Sequence, residues 1–234
     1  MQFHWLNKKN NENLIIFFCG WSFDYKPFER LVNSDFDVLV IYDYADIADC
    51  KCLFENLKLK SDTKNYKSKI LLAWSMGVYV AYLVRDFLPD FDNKIAINGT
   101  PYPVDDEFGI PIKTFNLTLK FVDTGLQGKF QKNLFKLPED FQKYTQYPVG
   151  RATENQKAEL IALNDYVKNA KIEYTEFYNR AIISDTDKII PTRNQLNFWK
   201  NKSSAEITLL NSGHFPFFEF DSWKDIICEQ TLKQ

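Results

Sequence analysis

Ile70-Leu71-Leu72-Ala73-Trp74-Ser75-Met76-Gly77-Val78 is the stretch on which the reading of this chain turns. Its first five residues form a continuous apolar run of the length and kind that suits a strand buried on both faces. Ser75 follows at once, and residues 78–87 then take up helical spacing. Small residues stand two positions before the serine (Ala73) and two after it (Gly77). Outward from this point the same alternation recurs. Residues 14–19 form an apolar run ending at Gly20, and residues 37–42, 94–98, 181–184 and 206–210 form others. Residues 1–5 alternate like a strand, and helical spacing returns from residue 226. Short apolar strands alternating with helices predict an α/β fold, with a mostly parallel central sheet and helices on both faces. Residues 101–180 break the alternation, being polar-amphipathic, helical in spacing and too long for a crossover. They read as an inserted helical cap over the carboxyl ends of the strands, where open α/β sheets bind ligands. The core is then 1–100 and 181–234.

The 234 residues are 45% apolar, 26% charged and 16% aromatic, a globular composition that excludes a disordered or fibrous chain. A formal charge of −2 argues against a protein whose main task is binding nucleic acid. The longest uncharged stretch, residues 70–84, is too short and too interrupted for a membrane helix, so no membrane association is expected. Cys19, Cys50, Cys52 and Cys228 have no disulfide-framework spacing. With two histidines in the chain, Cys50-Lys51-Cys52 reads as ordinary thiols, not as a metal site. The N-terminus shows no secretion signal, and a cytoplasmic monomer is the expectation.

The Ser75 segment resembles the nucleophile elbow of the α/β-hydrolases, where a sharp strand-to-helix turn demands small neighbours. That family has Gly at both flanking positions, and Ala73 is a mild departure. A serine after a strand can also merely cap the next helix. A hydroxyl nucleophile needs a general base and an orienting carboxylate. His4 falls in the first strand and reads as structural. His214, in Asn211-Ser212-Gly213-His214-Phe215-Pro216-Phe217 directly after the last strand, stands where a hydrolase carries its base. After the preceding strand, Ser184-Asp185-Thr186-Asp187-Lys188-Ile189-Ile190-Pro191 offers two carboxylates. The register to Pro191 favours Asp187 as the triad acid, with Asp185 as the alternative. The order Ser75, Asp187, His214 is the hydrolase order. Backbone N–H groups of Met76 and of Trp21, in the loop after the 14–19 strand, are the expected oxyanion donors.

Three segments narrow the resemblance: residues 18–24 (Phe-Cys-Gly-Trp-Ser-Phe-Asp), residues 73–81, and Asn98-Gly99-Thr100-Pro101 with its acidic continuation Asp105, Asp106, Glu107. Together they are similar to the BioG-type pimeloyl-acyl-carrier-protein methyl ester esterases over nearly the whole chain. The resemblance implies hydrolysis of a methyl ester on carrier-bound pimelate in biotin synthesis, with no cofactor and an acyl carrier protein as partner. Residues 110–151 carry Lys113, Lys120, Lys129, Lys132, Lys136, Lys143 and Arg151 against Asp123, Glu139 and Asp140, a local excess of positive charge. Such a surface would steer an acidic carrier, although lysines on a solvated helix face need no partner. Phe115, Phe121, Phe130, Phe135, Phe141, Tyr144 and Tyr147 either line an acyl tunnel or pack the cap on the core. A broader carboxylesterase or thioesterase, and an inactive hydrolase-fold binding protein, remain open on sequence. A dinucleotide-binding domain does not, because no Gly-rich loop follows the first strand.

Overall fold

In the computed structural model, which describes residues 1–48, 50–57, 63–125 and 129–228, seven strands form one sheet in the order β1-β3-β2-β4-β5-β6-β7. These are β1 (Gln2–Asn7), β2 (Asn13–Phe18), β3 (Phe36–Tyr42), β4 (Ser68–Trp74), β5 (Asn93–Ile97), β6 (Arg180–Ser184) and β7 (Glu206–Leu210). Only β1 runs antiparallel, against β3; every other pair is parallel. The fold is that of an α/β-hydrolase; β2 to β7 coincide with apolar runs of the sequence and β1 with the alternating stretch at its start.

Strand pleating divides those runs between two cores. Leu14, Ile16 and Phe18 of β2, Leu39 and Ile41 of β3, and Leu71 and Ala73 of β4 face one cluster. Ile15, Phe17, Val38, Val40, Leu72 and Trp74 face the other. Because both faces of β2, β3 and β4 are buried, these strands show no polar alternation. At about 1.5–3 kcal/mol for each large apolar side chain removed from water, these two layers are the main source of stability.

The helices α1 (Cys50–Asn56) and α2 (Met76–Leu83) flank the first half of the sheet. α2 is buried nearly all round. It begins directly after Ser75, two residues earlier than the spacing predicts. It gives way at Val84 to a 3-10 turn over Arg85–Phe87. Leu88 is extended there because Pro89 follows, and a residue before proline avoids the helical region. Between β5 and β6 lie α3 (Ile112–Lys120), α4 (Val122–Gly125), α5 (Lys129–Asn133), α6 (Pro138–Tyr144) and α7 (Thr153–Asn169). α8 (Thr192–Asn201) joins β6 to β7, and α9 (Trp223–Cys228) packs Trp223 and Ile226 into the second core. No helix among the described residues is long and apolar enough to cross a membrane.

α2 comes close to the sheet at Gly77, where an added Cβ would sit 2.4 Å from the carbonyl oxygens of both Phe18 and Cys19. Both neighbours are backbone and cannot swing aside. Gly77→Ala is therefore expected to cost about 1–3 kcal/mol as overpacking. Thermal unfolding should read this as a fall of roughly 2–4 °C for each kcal/mol.

Candidate active site

Ser75 occupies a backbone conformation of φ 57°, ψ −125°, which few residues other than glycine adopt. Its N–H donates to the Ile97 carbonyl at 2.9 Å, fixing the turn to β5. An added Cβ on Gly20 would lie 3.1 Å from the Ser75 Cβ and 3.0 Å from the Trp74 ring, so the loop after β2 rests directly on the serine. The Ser75 side chain makes no capping bond to α2. Its Oγ instead lies 2.8 Å from His214 Nε2. His214 Nδ1 lies 2.7 Å from Asp187 Oδ2, so with the proton on Nδ1 the imidazole donates to the carboxylate and accepts from the serine hydroxyl. All three residues are buried.

The carboxylate is itself held. Asp187 Oδ1 accepts the N–H groups of Ile189 (2.8 Å) and Ile190 (2.9 Å), and Oδ2 also accepts Gln195 Nε2 at 2.9 Å. The turn from β6 toward Pro191 thus presents Asp187, not Asp185, to the histidine. Asp185 points elsewhere and pairs with Lys136 at 3.3 Å.

The loop carrying His214 is fastened from three sides. The Trp74 indole N–H donates to the His214 carbonyl at 2.8 Å. Asn98 Nδ2 donates to the same carbonyl (3.0 Å), to the Gly213 carbonyl (3.2 Å) and to Ser184 Oγ (2.8 Å), while Asn98 Oδ1 accepts the Ser184 N–H. From the inserted segment, the Leu134 carbonyl accepts the Phe215 N–H at 2.8 Å. A Cβ on Gly213 would collide with Lys136 N at 2.6 Å. Asn98 and Trp74 stand in the segments that carry the family resemblance, yet nothing in their spacing announces these bonds. Gln195 carries no sequence signal beyond a polar residue on the inner face of a helix.

Trp21 and Met76 both line the cavity that contains Ser75 and His214. Among the described residues neither backbone N–H is taken by another group. Free donors beside the serine suit an anion that forms only during reaction. The cavity measures about 280 Å³, near the lower end for small-molecule sites. Its far walls are Phe115, Leu117, Phe121, Phe130, Leu134 and Leu160 of the inserted segment. Of the aromatic residues there, Phe115, Phe121 and Phe130 line the cavity. Phe135 and Tyr144 pack on Phe215, and Phe141 packs on Phe135. Tyr147 lies outside the lining.

The basic residues of 110–151 do not form one free surface. The side chain of Arg151, expected to meet a carrier, is only 6% exposed and pairs with Glu159 and Asp43. A guanidinium can satisfy several buried acceptors at once, which explains its inward position. Lys136 bonds to Asp185 and Asn211, and Lys143 pairs with Asp140 at 2.8 Å. Lys113, Lys120 and Lys132 are exposed and in no ion pair among the described residues. The side chain of Lys129 lies outside the described residues. His4 stacks on Tyr25 with ring centroids 3.5 Å apart and takes no part in the Ser75–His214–Asp187 bonds.

A nucleophile-type elbow at the carboxyl end of β4, with the remaining members on the loops after β6 and β7, defines an α/β-hydrolase. The solved structure of BioG from Haemophilus influenzae superposes with a TM-score of 0.82 at 28% identity, covering 96% of this chain and 98% of that one. An esterase from Exiguobacterium antarcticum follows the same fold with a TM-score of 0.65 at 18% identity, over 89% of this chain and 87% of its own. Among sequence relatives, a malonyl-[acyl-carrier protein] O-methyltransferase of Bacteroides fragilis is 32% identical over 205 residues, 86% of this chain. The chain spans 39% of that relative's length. The family model for pimeloyl-ACP methyl esterase BioG matches residues 1–226, and the chain belongs to that family.

The two carboxylates after β6 are separable by substitution. Asp187→Asn removes the acceptor for His214 Nδ1–H and should lower kcat by about 10⁴, as loss of the orienting carboxylate does elsewhere. Asp185→Asn should leave kcat within about threefold, since a half-exposed ion pair contributes little. Steady-state hydrolysis of a soluble ester by both variants checks the assignment.

Proposed function

We propose that this protein hydrolyses the methyl ester of pimeloyl-acyl-carrier protein, giving methanol and free pimeloyl-carrier protein in biotin synthesis. The observation that carries the reading is the buried, continuous hydrogen-bonded chain Ser75–His214–Asp187 at the floor of an apolar cavity, in a BioG-family chain. Ser75 Oγ attacks the ester carbonyl while His214 Nε2 takes its proton. The Trp21 and Met76 N–H groups receive the oxyanion, each such donor contributing roughly 2.7–4 kcal/mol. His214 then protonates the departing methoxide, and the same nitrogen activates the water that releases the acyl group. No cofactor takes part in this scheme, and the enzyme acts in the cytoplasm. The intact bond chain favours an active esterase over an inert scaffold. The relative named for methylating malonyl-carrier protein fits a sequence of reactions in which a methyl ester is first installed and later removed.

In this reading residues 101–180 act as the cap, holding the acyl chain against the cavity's far walls. Lys113, Lys120 and Lys132 supply the positive surface for the acidic carrier. Lys113 and Lys120 edge a shallow groove on α3 beside the half-exposed Ile112 and Leu117, and Leu117 also lines the cavity. A carrier seated there would stand at the cavity mouth.

Mass spectrometry of pimeloyl-carrier-protein methyl ester incubated with the protein tests the reaction. Loss of the methyl group alone, absent with Ser75→Ala, is the expected outcome. Release of the whole acyl chain would make the protein a thioesterase, and an unchanged substrate would refute the proposed activity. The triple variant Lys113→Glu, Lys120→Glu, Lys132→Glu should raise KM for the carrier-bound ester roughly tenfold or more, by charge repulsion at an interface. It should leave a small soluble ester unaffected, and equal loss on both substrates would contradict the docking surface.

A further inference from the structure

Glu159 on α7 is fully buried, yet the ester chemistry described above makes no use of it. Its Oε2 accepts the N–H of Ser22 at 3.1 Å, and its Oε1 accepts the N–H of Tyr44 at 3.0 Å. Arg151 donates to Glu159 Oε2 at 2.6 Å and to the Phe23 carbonyl at 3.3 Å. Its other terminal nitrogen lies 2.9 Å from Asp43 Oδ1. Burial pushes the Glu159 carboxyl upward from its ordinary range, and the Arg151 charge together with the hydrogen bonds from Arg151, Tyr44 and Ser22 opposes that shift. A buried carboxylate of this kind persists only when fully partnered.

What it grips is the loop after β2. Ser22 has φ 71°, a left-handed conformation strained for a residue with a side chain. The loop's own bond across this turn, Phe23 N–H to the Gly20 carbonyl, is long at 3.4 Å. Glu159 therefore holds the Trp21–Ser22 peptide group and Arg151 the Phe23–Asp24 peptide group. The Trp21 indole is tied to the Gln156 carbonyl, also on α7, at 2.7 Å. The loop that presents the proposed Trp21 oxyanion donor is anchored to the insertion rather than to the sheet alone.

We propose that Glu159, neutralised by Arg151, is a positioning residue for ester hydrolysis, holding the Trp21–Ser22–Phe23 backbone so that the Trp21 N–H meets the oxyanion. The inference rests on the esterase reading given above. It makes the insertion a structural part of the oxyanion site as well as a wall for substrate.

The test compares wild type, Ser75→Ala, Glu159→Gln and Arg151→Lys on p-nitrophenyl butyrate, with a trifluoromethyl ketone as an inhibitor that forms a tetrahedral adduct. Glu159→Gln keeps the side-chain volume but turns an NH₂ toward one of the two N–H groups. Its kcat should fall roughly 10- to 100-fold, the scale of a misplaced catalytic group. KM should stay within about twofold, and ketone affinity should drop by the same factor as kcat. A structural role alone would lower thermal stability without moving ketone affinity in the folded protein. A folded Glu159→Gln chain with wild-type kcat, or one whose kcat falls with ketone affinity unchanged, overturns the inference. If Glu159→Gln does not fold, Arg151→Lys carries the decision. It keeps the charge but loses the forked contact, and unchanged kcat and ketone affinity there overturn the inference equally. Wild type no faster than Ser75→Ala refutes the esterase reading itself and this inference with it.

Discussion

The structure depends on one strained turn. Between the last residue of β4 and the first of α2 there is room only for Ser75, and its backbone must adopt φ 57° to make the reversal. Such a conformation costs of order 1–3 kcal/mol and persists only where the surroundings impose it. Here they do so from every side. The Ile97 carbonyl takes the Ser75 N–H, Gly77 lets α2 sit on the carbonyls of Phe18 and Cys19, and Gly20 brings the loop after β2 onto the serine. Two apolar layers, one on each face of the sheet, supply the stability that sustains the strain. The result is a hydroxyl raised above the carboxyl edge of the sheet, within hydrogen-bond distance of the His214 ring.

The loops around that hydroxyl are short, and each is tied by side chains that do no chemistry themselves. Trp74 and Asn98 hold the backbone of His214, Gln195 and two peptide N–H groups hold Asp187, and the insertion reaches the histidine loop through Leu134. A bond chain with contacts of 2.7 and 2.8 Å needs such support, because small displacements of a catalytic group carry large costs in rate. The insertion thus touches the loops around the site at two places, and apolar side chains of its helices line the cavity that contains Ser75.

Much of this was legible in the chain. The central strands could be read because burial on both faces makes each a continuous apolar run, and the elbow because its geometry restricts positions 73 and 77 to small residues. His214 and Asp187 followed from their places after β7 and β6, which the fold fixes. Arg151 was misread for a physical reason: charge alone does not say whether a side chain faces solvent, and its partners Asp43 and Glu159 lie 108 and 8 residues away in the chain. Lys136 was misread likewise, since its partner Asp185 belongs to a different loop. The anchoring roles of Asn98 and Glu159 depend on partners distant in the chain, and that of Gln195 on a bond from α8 back to the loop before it, none of which a local pattern encodes. Apolar spacing over 78–87 does not distinguish the α-helix, which ends at Leu83, from the 3-10 turn over Arg85–Phe87 that follows it.

We propose Ser75 as an activated nucleophile whose base is His214. The most direct measurement treats the protein with an alkyl fluorophosphonate and locates the adduct by peptide mass spectrometry. The account predicts one stoichiometric adduct on Ser75, formed far more slowly in His214→Ala. No adduct, an adduct on another residue, or labelling of Ser75 at the same rate without His214 would contradict it.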